Sequence, residues 1–184
     1  EYFGDAAPVL TEIMQSEVAV EGTTDKAGPQ MNMDIALLPD ANLNSNNTTK
    51  VGWYWKEGYN GIKYANTVIS GIDNAEFKNE TEKNEVLGAA YFHRAYRYFK
   101  LTHQFGDVPF LDKLYSEPKL DFYTHDRWSI LERLKKELEF AYQWVPDNVD
   151  RGRASKSACG VLLMKVCMAL TDFDRALQIG KEIV

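Results

Sequence analysis

Apolar residues recur at spacings of three and four along most of the chain, the rhythm of an α-helix buried on one face. They predict six helices, near 5–20, 53–73, 81–104, 125–144, 155–170 and 173–184. In the second, Trp55, Tyr59, Ile62, Ala65, Ile69 and Ile72 form one stripe. Leu87, Tyr91, Ala95, Tyr98 and Phe105 repeat it in the third, and Trp128, Leu131, Leu134, Leu138 and Ala141 in the fourth. The start signals agree. Asn79 with Glu82 reads as a capping pair, Thr124 precedes the fourth helix, Ser155 the fifth, and Thr171 or Asp172 opens the sixth. Gly106 and Pro109 stop the third helix, and Pro146 stops the fourth. No stretch alternates long enough to commit to a sheet, and 108–111 is at most a short extended piece. The predicted class is all-α.

Two long connections interrupt this pattern. Residues 21–52 are rich in Gly, Pro and Asn, with Asn42, Asn44, Asn46 and Asn47 close together, and 106–124 form the second. Connections longer than about 12–15 residues are often functional, which makes 21–52 the first place to look for ligand contacts. The last two helices read as a pair joined by a short turn. Small residues at their crossing, Ala158 and Ala176, give it a tetratricopeptide-like character, although neither this pair nor the third and fourth helices match the full repeat consensus. The pattern stops at Ile183 and Val184 with no polar closing helix, so the natural polypeptide is expected to continue.

Composition narrows the function classes. The 184 residues carry a net charge of −6 with no Lys/Arg cluster, which argues against a nucleic-acid partner. No apolar run approaches the roughly 20 residues of a membrane span. The chain opens at Glu1 with no signal-peptide pattern, as expected of a processed product or a cut segment. Cys159 and Cys167 lie eight residues apart on one predicted helix, about 12 Å of rise, too far for a disulfide, and both read as small core residues. There is no nucleophile elbow, zinc-protease motif, C-x-x-C, phosphate loop or dinucleotide fingerprint. His93 and His103 are ten residues apart on one helix, about 15 Å, and cannot share a metal. Asp40, Asn42, Asn44 and Asn46 imitate the start of a calcium loop, but Ser45 stands where Gly is needed and Val51 where the bidentate Glu belongs. No enzyme, cofactor or metal site is expected.

Aromatic content is the informative signal, with 10 Tyr, 9 Phe and 4 Trp. Trp55, Trp128 and Tyr59 fall on apolar stripes and read as packing residues. Trp53 points about 200° away from Trp55 around the helix, on a face with Glu57, Asn60 and Tyr64. A flat ring beside amides suits a sugar, covering apolar C–H faces while the amides bond hydroxyls; equally, Trp53 could pack under the 21–52 connection. Trp53, Asn47 and Asn60 are the candidate glycan contacts.

The run Trp55-Lys-Glu-Gly-Tyr59-Asn-Gly-Ile62-Lys-Tyr-Ala65-Asn66 resembles a helix of the SusD/RagB family of outer-membrane nutrient-binding proteins. So do the helix carrying Glu85, Leu87, Ala90, Arg94, Ala95, Tyr98 and Phe99 and the Phe105-Gly-Asp-Val-Pro109 turn after it. Trp144-Val-Pro146, Arg153-Ala-Ser-Lys-Ser-Ala158 and Asp172-Phe-Asp-Arg-Ala-Leu177 complete the ordered set, which covers about 53–184. The resemblance implies a single N-terminal helical domain of such a protein, 1–52 being a first helix and variable loop and 53–184 stacked helix pairs. It implies a surface lipoprotein of the outer membrane, in Bacteroidetes, anchored by a lipid that this chain lacks. Such a protein binds glycans, or sometimes peptides, and delivers them without catalysis to a SusC-like TonB-dependent transporter. Trp55, Tyr59, Asn66, Arg94 and Pro109 coincide with shared motif positions and are expected to be architectural, whereas Trp53 and the Asn-rich loop lie outside them. The alternative is a helical-repeat scaffold for another protein, with no sugar site in this segment.

Overall fold

The computed structural model describes residues 50–183 except 116, 118 and 120, with side chains from residue 54 onward. Among the described residues, five α-helices run in chain order: α1 Lys50–Gly71, α2 Glu80–Phe105, α3 Arg127–Trp144, α4 Lys156–Ala169 and α5 Phe173–Ile183. The predicted first helix and the 21–49 part of the long connection, with its calcium-like run, lie outside the described residues. Contacts divide the chain after Glu57, and the packing below concerns residues from Gly58 onward.

The helices form a sequential stack in which α2 packs on α3, α3 on α4 and α4 on α5. The apolar stripes meet in one core, where Ile62, Ala95, Tyr98, Leu101, Leu134, Leu138, Leu163, Val166 and Ile179 are buried. The caps explain where the helices begin. Asn79 accepts a hydrogen bond from the Glu82 amide at 2.9 Å, while the Glu82 carboxylate reaches back to the Lys78 amide at 2.7 Å. Ser155 accepts from the Ala158 amide at 3.2 Å and opens α4. Of the two candidates for the last helix, Asp172 is the cap, accepting from the Arg175 amide at 3.2 Å, and Thr171 takes a left-handed φ of 61°. The Lys135 ammonium donates to the same Asp172 carboxylate at 2.6 Å and, with the Arg175 amide, holds its pKa below the usual carboxylate value.

Three sequence expectations need correction. Thr124 does not cap α3: Thr124 and His125 form a short strand, β2, antiparallel to β1 at Val108–Pro109, and Asp126 caps the helix instead, accepting from the Ser129 amide at 2.9 Å. Trp128 is not core. It is 46% exposed, with the Arg127 guanidinium 4.3 Å from its ring centroid. Trp55 is exposed as well, and Tyr54 beside it is buried. Cys159 and Cys167 are buried free thiols, as their spacing required, and burial pushes the Cys159 thiol up to about 12.

Candidate functional site

Gly106 ends α2 with a φ of 73°, a backbone region that a residue with a Cβ rarely enters, and sends the chain into the second long connection. Without a helix or an extended sheet to satisfy it, the backbone of 109–113 is held by side chains. Tyr59 on α1 donates its hydroxyl to the Pro109 carbonyl at 2.8 Å. The Leu111 amide donates to the Tyr98 hydroxyl at 2.6 Å, and Phe110 stacks on the Tyr98 ring at 4.6 Å. Burial raises the pKa of both phenols, keeping them protonated in this low-dielectric setting.

Behind this lies a buried polar clamp. Arg94, 1% exposed, makes a two-point ion pair with Glu137 on α3, Nη2 to Oε1 at 2.7 Å and Nε to Oε2 at 3.1 Å. Its Nη1 donates to Asn66 Oδ1 at 2.7 Å and to the Asp112 carbonyl at 2.8 Å. Asn66 in turn donates from Nδ2 to the Leu111 carbonyl at 2.8 Å and the Lys113 carbonyl at 3.2 Å. A charged residue buried this deeply persists only when its donors are satisfied, and these are satisfied by Glu137 on α3, Asn66 on α1 and the Asp112 carbonyl of the connection. Arg94, Asn66, Tyr59 and Pro109 are thus architectural in the described structure.

The clamped segment forms one wall of a cleft of about 310 Å³, and α1 forms the other. Asn60, Lys63, Lys113, Tyr115, Lys119 and Phe122 are among its lining residues. Tyr115 and Phe122 meet edge to face, centroids 5.3 Å apart at 83°. Another groove, of about 420 Å³, lies between α1 and α2, with Tyr64, Val68, Val86 and Ala89 among its lining residues. Among the described residues, no three His, Cys, Asp or Glu side chains are grouped to hold a metal ion, and no helix is long and apolar enough to cross a membrane.

Of the three candidate contacts, Asn60 lines the first cleft. Asn47 lies outside the described residues, and Trp53 falls within α1 by its backbone while its side chain is not among those described. Sequence reasoning missed Lys63, Lys113, Lys119, Tyr115 and Phe122. The one available signal was the length of the 106–124 connection, because no motif or period ties those five residues together.

Stacked helical hairpins that clamp an irregular connection against their side define a tetratricopeptide-like scaffold with a cleft along that connection. The chain belongs to the SusD-like family, whose model, described as starch-binding and associating with the outer membrane, matches residues 6–168. SusD-like protein P2 from Formosa agariphila is 27% identical over 189 residues, covering 100% of this chain and 36% of that protein. The chain therefore spans little more than a third of that relative. Two solved structures share its fold. A laminarin-binding SusD-like protein superposes with a TM-score of 0.76 at 22% identity over 98% of this chain and 38% of its own. Surface glycan-binding protein A from Bacteroides uniformis gives 0.75 at 24% identity, over 96% and 39%.

Proposed function

We propose that this chain is part of a non-catalytic surface protein of the outer membrane that binds glycans and passes them to a TonB-dependent transporter for uptake. Membership in a family described as starch-binding and outer-membrane-associated, over residues 6–168, carries this reading. The names of the two structural relatives, one for laminarin and one for surface glycans, support it. The clamp fits a binding role, because a cleft whose wall is fixed before the ligand arrives loses less entropy on binding. Trp53, Asn47 and Asn60 are proposed to contribute glycan contacts, the indole covering a sugar face and the amides bonding hydroxyls. The protein is anchored to the membrane by a lipid.

Affinity electrophoresis of the natural polypeptide through native gels cast with a panel of plant, algal and microbial polysaccharides tests this reading. Retardation by one glycan class, with no shortening of the recovered polymer, is expected. Release of oligosaccharide products would overturn the non-catalytic reading. Free migration in every gel would leave the helical stack as a protein-binding scaffold.

A further inference from the structure

The cleft between α1 and the clamped connection carries a charge pattern opposite to that of the chain. Overall, Asp and Glu outnumber Lys and Arg by 27 to 21, yet among the described residues Lys63, Lys113 and Lys119 line the cleft against one carboxylate, that of Glu117. Two of these ammoniums sit beside the aromatic pair. Lys113 Nζ lies 5.8 Å from the Tyr115 centroid and Lys119 Nζ 5.5 Å from that of Phe122. The carboxylates nearby are loosely engaged. Asp121, 74% exposed, stands 3.7 Å from Lys119, and the Asp112 carboxylate accepts only a long 3.5 Å contact from the Tyr115 hydroxyl. An exposed pair of this kind gains little and exchanges readily for another anion.

We propose that this cleft is a saccharide subsite selective for an acidic sugar unit. Its anionic group pairs with Lys113 and Lys119, with Lys63 completing the cationic rim, and its ring lies along Phe122 and Tyr115. The proposal rests on the glycan-binding reading and names the chemistry of one of its subsites. The volume suits a single sugar unit at the lower end of ligand pockets. The backbone carrying Lys113 is pinned, because its carbonyl and those of Leu111 and Asp112 are bonded by Asn66 and Arg94. That fixes in advance of binding the backbone from which the Lys113 side chain extends. Asn60 lines the opposite wall.

Calorimetric titration of the natural polypeptide with trigalacturonate, a sulfated galactan trisaccharide and neutral laminaritriose, at low and high salt, tests the proposal. The acidic probes are expected to bind more tightly than laminaritriose at low salt, with the advantage shrinking as salt screens the lysines. A Lys113→Gln/Lys119→Gln double variant is expected to lose about tenfold in affinity for the acidic probes and nothing for the neutral one, as suits the loss of two charge-assisted contacts. Preference for the carboxylated over the sulfated probe, or the reverse, identifies the anion within the proposed class. Equal affinity for acidic and neutral probes, or an unchanged double variant, overturns the acidic subsite and leaves glycan binding intact. Failure of all three probes to bind overturns the acidic subsite, and free migration in the gel panel overturns glycan binding with it.

Discussion

Arg94 shows how much one side chain does here. It joins three helices and the long connection through Glu137, Asn66 and the Asp112 carbonyl, all at 3.1 Å or less. Glu137→Leu leaves the buried guanidinium without its counter-charge and is expected to cost about 3–5 kcal/mol; Arg94→Met leaves Glu137 paired with the half-exposed Arg133 at 3.0 Å and is expected to cost less, and the double replacement less than the sum of the two. Urea denaturation of the four proteins checks this, and additive losses would show that the two residues do not act as a pair. Sequence resemblance marked Arg94 as architectural, but residue type alone could not, because arginine is among the least buried side chains. The error at Trp128 has the same root. The indole fits the helical stripe, yet its Arg127 neighbour covers it from the solvent side, and periodicity does not distinguish a buried ring from one lying under a guanidinium.

Among the described elements, the existence and approximate extent of the five helices from Lys50 onward followed from periodicity and caps, since both are local properties. For α2, the expected 81–104 became Glu80–Phe105, fixed by Asn79 at one end and Gly106 at the other. The start of α3 was misplaced because the β1–β2 bridge takes up Thr124 and His125, a pairing across 15 or more residues that no local pattern announces. Helix–helix spacing was read only in part. Of the two alanines expected at the α4–α5 crossing, Ala176 is buried and Ala158 half-buried, and Gly160 marks a closer approach: a Cβ there would lie 2.5 Å from Ile183 Cδ1 and 2.8 Å from Tyr142 Cε2. The Ile183 methyl can turn aside, but the Tyr142 ring, whose hydroxyl donates to Glu182 at 3.0 Å, resists. Gly160→Ala is therefore expected to destabilise the stack by about 1–3 kcal/mol despite the better helix propensity of alanine. A thermal melt reads this directly, and an unchanged or raised Tm would mean that α3 and α5 are not held so close to α4.

At the scale of the whole molecule, a family with one helical scaffold must vary its ligand chemistry in the connections, where side chains are free of the helical stripe. In this chain the helices build the core and clamp, and the connection after Gly106 supplies Lys113, Tyr115, Lys119 and Phe122 to the cleft. The scaffold was legible because burial imposes a period. The cleft was not, because its lysines and aromatics come together only through the carbonyl clamp, a tertiary feature. Saturation of intrinsic tryptophan fluorescence during titration of the natural polypeptide with the glycan class that retards it in gels is the most direct test of the central claim. A saturable shift that disappears in a folded Trp53→Ala variant is the predicted result. A folded helical protein whose fluorescence and affinity are the same with and without Trp53 would contradict it, removing that residue from glycan recognition.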